Sequence, residues 1–394
     1  MTSSATADIA IVGGGPAGAW AAYRLARAGA HVVLFDASHP REKPCGGGVT
    51  GRALTLVQEA IAPGALPAQP IHAACFLDPG ARPARVIVDD RGPDGPSLVV
   101  VDRRSFDQAL LAAAIDAGAT HVPARVRDAG IDPDGAWVST AAGRWRTGFL
   151  VGADGATSLV RRRTGRAFPR DQLSIATGVY AHGATAEDIV IEFVAQPQGY
   201  IWSFPRPDHL AIGICAQANE TTAAALEARI RSWTAGFAPA RGARLEPYAW
   251  PIPSLPVEAW DAERPAGDRW ALVGDAAGLV DPITREGIYF ALRSADLLAK
   301  ALSNGDSPGA RYVAELRREI VPELRRAARL KRAFFRSGFT RLLVDALSHS
   351  PAVARVMVDL VAGTQPYATL KRRLLRTLEV RLAWRLFMLE VARR

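Results

Sequence analysis

The sequence predicts an α/β fold in which a nucleotide-binding type of domain, broken into three pieces, encloses an inserted antiparallel sheet and is followed by a helical C-terminal region. Three observations predict it. A close β-α-β pattern surrounds a Gly-rich turn at the start of the chain. Two later apolar runs end in Gly/Asp turns near 152 and 274, with alternating strand patterns before and between them. Beyond Gly309 nearly everything reads as helix. The 394 residues leave room for two or three domains.

Taken in order, Asp8-Ile-Ala-Ile-Val12 is a short apolar strand ending at Gly13-Gly-Gly-Pro-Ala-Gly18. Ala19 to Ala28 is helical and stops at Gly29, and His31 to Phe35 is a second strand ending in Asp36. Arg41 to Gly51 is a Gly-rich loop, and Arg52 to Ala60 is helical. Arg85 to Asp89 and Leu98 to Val101 alternate as antiparallel strands, with a loop at Arg91 to Ser97. Arg103 to Ala117 returns to helix, and His121 to Arg127 and Trp137 to Val151 read as strands. Tyr180 to Ala216 is strand-rich, and Thr221 to Phe237 is helical. Tyr248 to Pro265, rich in proline, reads as a connector. Trp270 to Gly274 is a buried strand, and a helix runs from about Gly287 to Ala301. The expected pieces are 1–70, 102–165 and 266–305 for the nucleotide domain, 71–101 and 166–265 for the inserted substrate domain, and 306–394 for the helical region.

Composition narrows the function classes. Hydrophobic residues at 49% and charged residues at 22% exclude whole-chain disorder. Met1 to Ala7 lacks the pattern of a signal peptide, and no apolar run is long enough to span a membrane. Cys45, Cys75 and Cys215 are far apart, with no metal-binding spacing, so no metal site is expected and a reduced cytoplasmic protein is the simplest reading. The net charge of +9 comes from the C-terminal fifth: residues 310–394 hold 19 Lys+Arg against 7 Asp+Glu, and the remainder 29 against 32. Such a patch suits an anionic surface or a solvated helical face. Leu370, Leu374, Leu378, Leu382, Leu386 and Leu389 share one side of a helix, with Arg372, Arg373 and Arg376 off that arc. Peripheral membrane contact through these helices, or a helix docked on the protein body, are the two expectations; nucleic acid is not.

Gly13-x-Gly15-x-x-Gly18 sits between a strand and a helix, with Asp36 ending the next strand. Gly13 allows the turn, Gly15 lets the backbone approach a pyrophosphate, and Gly18 lets helix and strand pack. The helix opening at Pro16 and Ala17 offers N–H groups and partial positive charge, and Asp36 can accept from a ribose diol. Gly274-Asp275-Ala-Ala-Gly278 after a buried strand suits the longer flavin nucleotide, FAD. Asp275 is placed for its ribityl or phosphate side, and the helix near Gly287 points its positive end at the pyrimidine.

With these motifs in order, the chain resembles FAD-dependent oxidoreductases of the p-hydroxybenzoate-hydroxylase type. The resemblance rests on Gly13 to Gly18, Gly152-Ala-Asp-Gly-Ala-Thr-Ser158, Gly274 to Pro282 and Arg103-Arg-Ser-Phe-Asp107. It implies a p-hydroxybenzoate-hydroxylase-like fold with Gly13, Gly15, Gly18, Asp36, Arg103, Asp154, Asp275, Gly287 and Ile288 at the cofactor. It also places Val126 by the adenine through its backbone. Two further motifs resemble the geranylgeranyl reductase branch: Lys43-Pro-Cys45-Gly46-Gly47-Gly48, which that branch places near the isoalloxazine, and Gly199-Tyr-Ile-Trp-Ser-Phe-Pro-Arg206. Arg206 stands where lysine is usual, and Arg285 where the branch has glycine.

Tyr200 and Trp202 share one face of a strand, as a platform for an apolar or aromatic substrate or as core aromatics. Cys45 is a proton donor, a flavin contact or a space-filler. The seven histidines show no pairing pattern and read as structural. The leading expectation is reduction of carbon–carbon double bonds in an isoprenoid or other apolar substrate. A flavin monooxygenase, less so a halogenase, is the alternative, and an electron-transfer partner a further one. With no second dinucleotide motif, the electron donor is open: NAD(P)H visiting the flavin transiently, a reduced flavin or ferredoxin, or a quinol.

Overall fold

The structure, a computed structural model, describes residues 5–88, 96–377 and 384. The loop expected at Arg91 to Ser97 and the distal leucines of the C-terminal helix, from Leu378 on, fall largely outside these residues.

Three pieces of chain meet in one eight-stranded sheet. Ala5–Val12 lies at its centre, parallel to Val32–Phe35 on one side and to Gly143–Gly152 on the other. Trp270–Leu272 joins beyond Gly143–Gly152, and Thr120–Val122 beyond Val32–Phe35, both parallel. All four residues of Val32–Phe35 are buried, as expected of a parallel strand covered on both faces. The helices Pro16–Arg27, Arg103–Asp116 and Ile288–Ser303 pack around it. Trp20, fully buried, stacks on Tyr23 and donates from Nε1 to Asp296 at 2.9 Å, joining the first of these helices to the last.

Register decides where the site forms. Val12 pairs with both Phe35 and Gly152, Gly152 with Leu272, and Phe35 with Val122. Gly13, Asp36, the 124–126 segment, Asp154 and Gly274 therefore leave the sheet at its carboxyl edge, where open α/β sheets bind their ligands.

The inserted sheet has seven strands, ordered Arg244–Pro253, Leu173–His182, His209–Gln217, Gly199–Pro205, Ile189–Val194, Ala73–Leu77 and Ala84–Ile87. One face carries the helix Ala223–Gly236 over Val179, Ile212 and Ile214. The other meets the C-terminal helices, with Phe76, Val86 and Phe193 against Phe334, Phe335 and Phe339. Leu98–Val101 pairs instead with Gly48–Thr50 and Ala68–Pro70, in a small sheet that ties the Gly-rich loop to the insertion.

Two readings of the sequence are corrected. The connector beginning at Tyr248 is, as far as Pro253, part of a ten-residue strand. It survives Pro247, Pro251 and Pro253 because it is an edge strand, needing partners on one side only. The single strand expected over Trp137 to Val151 is a hairpin, Gly135–Thr140 and Gly143–Gly152, turning at 141–142. Beyond Ile288–Ser303, five further helices follow among the described residues: Pro308–Glu319, Val321–Phe334, Ser337–His349, Pro351–Val361 and Tyr367–Arg376.

Candidate functional site

One cavity of about 1100 Å³ runs from the carboxyl edge of the large sheet to the interface of the inserted sheet with the C-terminal helices. Every residue singled out from the sequence as a cofactor or catalytic candidate lines it except Gly18. It brings together Gly13, Gly15, Pro16, Ala17, Asp36, Cys45, Gly46, Gly47, Gly48, Arg103, Val126, Asp154, Tyr200, Trp202, Asp275, Gly287 and Ile288.

The glycines of the first turn do different jobs. A Cβ on Gly18 would stand 1.8 Å from the Gly13 carbonyl, so this glycine lets the helix pack on the turn. A Cβ on Gly15 would meet nothing nearer than His39, at 3.6 Å. Gly15 caps the helix Pro16–Arg27 with no side-chain hydrogen bond, leaving the helix N–H groups for an occupant of the cavity. Gly287 likewise precedes Ile288–Ser303 with no side-chain cap. Two uncapped helix ends facing one long cavity fit a dinucleotide cofactor with a pyrophosphate and an electron-rich ring.

Asp36 accepts from the Gly14 N–H at 2.7 Å and from the Ser38 and His39 N–H groups. His39, read as structural from the sequence, sits between Asp36 Oδ2 at 2.9 Å and Asp107 Oδ2 at 3.2 Å. Burial opposes charge on both Asp36 and His39. The pairing prevails: Asp36 is held well below the usual carboxylate range and His39 is raised above its ordinary value. Asp107 in turn grips Arg103 through Nε and Nη2, at 3.0 and 2.8 Å. Lys43 reaches Asp275 at 2.8 Å, so the Asp275 carboxylate faces a cation across the cavity. Asp154 lines the cavity, but its carboxylate accepts from Ser158 Oγ and from the N–H groups of Leu159 and Val160, capping its own helix.

The Gly-rich loop and the aromatic strand are in contact. Gly46 and Gly48 lie so close to Phe204 that a Cβ on either would stand 3.0–3.1 Å from its ring. Arg206, fully buried, donates to the Cys45 carbonyl at 2.8 Å and pairs with Glu42. Burial would lower Arg206, but Cys45 and Glu42 beside it keep it raised. Cys45 Sγ accepts from Arg103 Nη1 at 3.7 Å. Sequence reasoning singled out Cys45; it missed Glu42, Asp107 and His39 as site residues, since the His39–Asp107 and Glu42–Arg206 pairs join residues far apart along the chain.

Tyr200 and Trp202 share a face, with ring centroids 5.9 Å apart. Trp202 also packs with Tyr180, Cys215 and Tyr248 in the sheet's own core, so it is both lining and core. Tyr200 stacks on Phe335 at 6.2 Å and 18°, and beyond it the wall is apolar: Phe76, Ile191, Phe193, Phe334, Met357 and Val361. Arg285 lines the same cavity with φ 61°, a left-handed backbone for which the branch's glycine needs no strain.

The FAD binding domain family model matches residues 6–305. The chloroplastic geranylgeranyl diphosphate reductase of Oryza sativa subsp. japonica is 31% identical over 388 residues, covering 89% of this chain and 80% of its own. The menaquinone reductase of Mycolicibacterium smegmatis is 31% identical over 333 residues, covering 76% and 77%. A geranylgeranyl bacteriochlorophyll reductase-like protein from Thermoplasma acidophilum shares the fold, with a TM-score of 0.80 over 95% of this chain and 99% of its own, at 22% identity.

Proposed function

The chain belongs to the FAD-binding domain family, in its geranylgeranyl reductase-like branch, and is an FAD-dependent oxidoreductase; from that premise we propose that it reduces carbon–carbon double bonds in an isoprenoid chain. The observation that carries this reading is the cavity's shape and chemistry. The Gly-rich turns and uncapped helix ends occupy one end, and the aromatic and aliphatic wall from Tyr200 to Val361 the other, in a single space.

When bound, FAD in its reduced form supplies the hydride for the alkene. The residues around it bind, orient and exclude water. Gly15 and the helix Pro16–Arg27 hold the pyrophosphate, Asp36 the ribose, and Lys43 with Asp275 the phosphate–ribityl side. Gly46, Gly47 and Gly48, packed against Phe204 and Arg206, would lie beside the isoalloxazine. Tyr200 and Phe335 lay the apolar chain along the cavity, and the surrounding aromatics keep water out. Cys45 is the proton donor of this reading: it lines the cavity, and its sulfur is held by Arg103, itself fixed by Asp107. The alkene would gain a hydride and a proton, so each turnover would need one two-electron donor, for which NAD(P)H is the proposed class.

The test is anaerobic. FAD-loaded protein reduced by NADPH, NADH or dithionite is mixed with geranylgeranyl diphosphate. Flavin reoxidation matched by a product carrying two more hydrogens supports the reading; reoxidation only on admission of oxygen, with a hydroxylated product, rejects it.

We further propose peripheral contact of the C-terminal segment with anionic lipid. Leu370 and Leu374 are buried against the body and Arg373 pairs with Asp359, so the described helix is docked. Leu375 and Trp384, however, are exposed, at 49% and 59%, within this basic segment. No helix among the described residues is long and apolar enough to cross a membrane. Salt-sensitive co-sedimentation with phosphatidylserine vesicles, lost on removal of residues 378–394, is expected; no binding at low salt rejects contact.

A further inference from the structure

We propose that Arg285, in the cavity wall, and Lys331, joined to it through Ser254, form an oxyanion-binding site, which takes a carboxylate or phosphate group carried by the substrate. Arg285 Nη1 donates to Ser254 Oγ, but its Nε and Nη2 are buried with no acceptor among the described residues. Those two atoms form the side-on fork of a guanidinium, the edge that matches two oxygens of one anion. Elsewhere in this chain the same fork is filled by a carboxylate: Arg85 holds Asp188 at 2.6 and 2.9 Å, and Arg103 holds Asp107 at 3.0 and 2.8 Å. At Arg285 it is open, in a residue that lines the cavity.

Lys331 supplies a second basic group. Its Nζ donates to Ser254 Oγ at 2.8 Å and to Gln217 Oε1, so the two basic side chains share one serine. Among the described residues neither forms an ion pair. Asp281, on the same loop as Arg285, accepts from the N–H groups of Ile283 and Thr284 through Oδ1, at 2.7 and 3.0 Å, and feels the Arg285 charge without forming an ion pair with it. Burial and the Arg285 charge push the Lys331 ammonium down to about 6, with Cys215 and Glu220 opposing only weakly. Burial thus favours the neutral amine at Lys331, and an arriving anion both stabilises its charged form and fills the buried fork of Arg285. The left-handed backbone at Arg285 adds strain that a glycine would not carry, so the side chain is kept there against the preference of the loop. A substrate with an anionic head at this fork can lay its tail over Phe193, Phe334 and Phe335. The choice of an isoprenoid tail rests on the proposed reductase function; the anion at the fork does not.

The FAD-loaded protein is titrated calorimetrically with geranylgeranyl diphosphate, geranylgeranoic acid, geranylgeraniol and inorganic pyrophosphate, as wild type, Arg285→Gly and Lys331→Met. Glycine suits the backbone at 285, so that variant keeps its fold. The expected result is that Arg285→Gly weakens both anionic lipids about tenfold or more while the alcohol changes by less than about twofold. Lys331→Met should weaken them in the same order. Pyrophosphate that competes with the anionic lipids in wild type but not in Arg285→Gly means the fork also takes a free anion. Pyrophosphate that does not compete, with the lipids still discriminated, means the fork reads only a tethered head group. Pyrophosphate binding that depends on Arg285, with no isoprenoid bound at all, rejects the isoprenoid reading and leaves the anion site standing. Equal affinities for acid, diphosphate and alcohol overturn the site. So does an Arg285→Gly variant that keeps every oxyanion affinity while the flavin midpoint potential moves, since the guanidinium would then serve the flavin.

Discussion

The Tyr200 hydroxyl donates to the Thr284 carbonyl at 3.0 Å, tying the aromatic strand of the inserted sheet to the loop that leads into the helix Ile288–Ser303. The bond crosses the cavity wall between the expected flavin end and the apolar end, so one contact sets both the position of the Tyr200 ring and the path of residues 281–287. Tyr200→Phe keeps the ring and its stacking on Phe335 but removes a part-buried hydrogen bond, a cost of about 1 kcal/mol. Turnover should fall about tenfold with FAD content near wild type, measured by flavin absorbance and steady-state rate. Unchanged turnover would show that the loop is held without Tyr200.

Trp202 lies between two roles, and its variants separate them. It is 5% exposed and packs on Tyr248 and Cys215 while lining the cavity. Trp202→Ala should destabilise the protein by about 3–5 kcal/mol, as for other buried aromatics. Trp202→Phe should keep most of the stability and FAD while raising the substrate KM. Loss of FAD in the Phe variant would place Trp202 in the fold alone.

Gly15 and Gly18 should fail in different ways. An added Cβ at Gly15 makes only an ordinary contact with His39, at 3.6 Å, so Gly15→Ala should fold with a near-normal Tm and bind FAD weakly, and Gly15→Val should not bind it. The Cβ of Gly18→Ala would overlap the Gly13 carbonyl, so that variant should lose stability whether or not FAD is added. Thermal melts with and without excess FAD read both. Equal destabilisation of the two variants would remove the distinction.

These contrasts show what was legible in the sequence. Gly13 to Gly18, Asp36 and the Gly274-Asp275 turn carry their chemistry in local spacing, because a βα turn must hold a phosphate within a few residues. Tyr200 and Trp202 were legible as strand alternation. The edge strand Arg244–Pro253 was not: its prolines argue against a strand until the pairing with Leu173–His182 on one side only is known. His39 and Asp107, 68 residues apart, meet through the packing of the helix Arg103–Asp116 beside the Asp36 turn, and no local pattern announces that. The open fork of Arg285 and the serine it shares with Lys331 are likewise products of tertiary packing. The sequence marked Arg285 only as a departure from glycine.

Cys45 offers a direct test of proton donation. Arg103 holds its sulfur and Arg206 its carbonyl, so Cys45→Ala leaves the loop anchored through its backbone. Flavin reduction should stay fast while product formation slows about a hundredfold or more, the scale of general acid catalysis. Cys45→Ser, a far weaker acid, should restore the shape but little of the rate. Full rates in both variants would leave Cys45 as a space-filler.

The Asp36–His39–Asp107 chain predicts a pH signature. His39 is raised above its ordinary value of about 6.5, so its contribution to stability is fully present below that pH and is lost as pH rises through its raised folded value. Asp36 is lowered, so its contribution is present above about 3.9 and is lost only as pH falls through its depressed folded value. Both contributions are complete between those two ordinary values, and on the alkaline side the loss belongs to His39. In the FAD-loaded protein, His39→Gln should lower Tm most at about pH 6, and the gap to wild type should narrow as the pH rises toward about 9. The acid limb, set by Asp36, should become shallower in the variant, because without a charged His39 the folded carboxylate titrates closer to its unfolded value and less stability is lost on acidification. Differential scanning calorimetry across this range reads both limbs. A gap that stays constant from pH 6 to 9 would mean that His39 is not charged in the folded protein, and that Asp36 is held by backbone N–H groups alone.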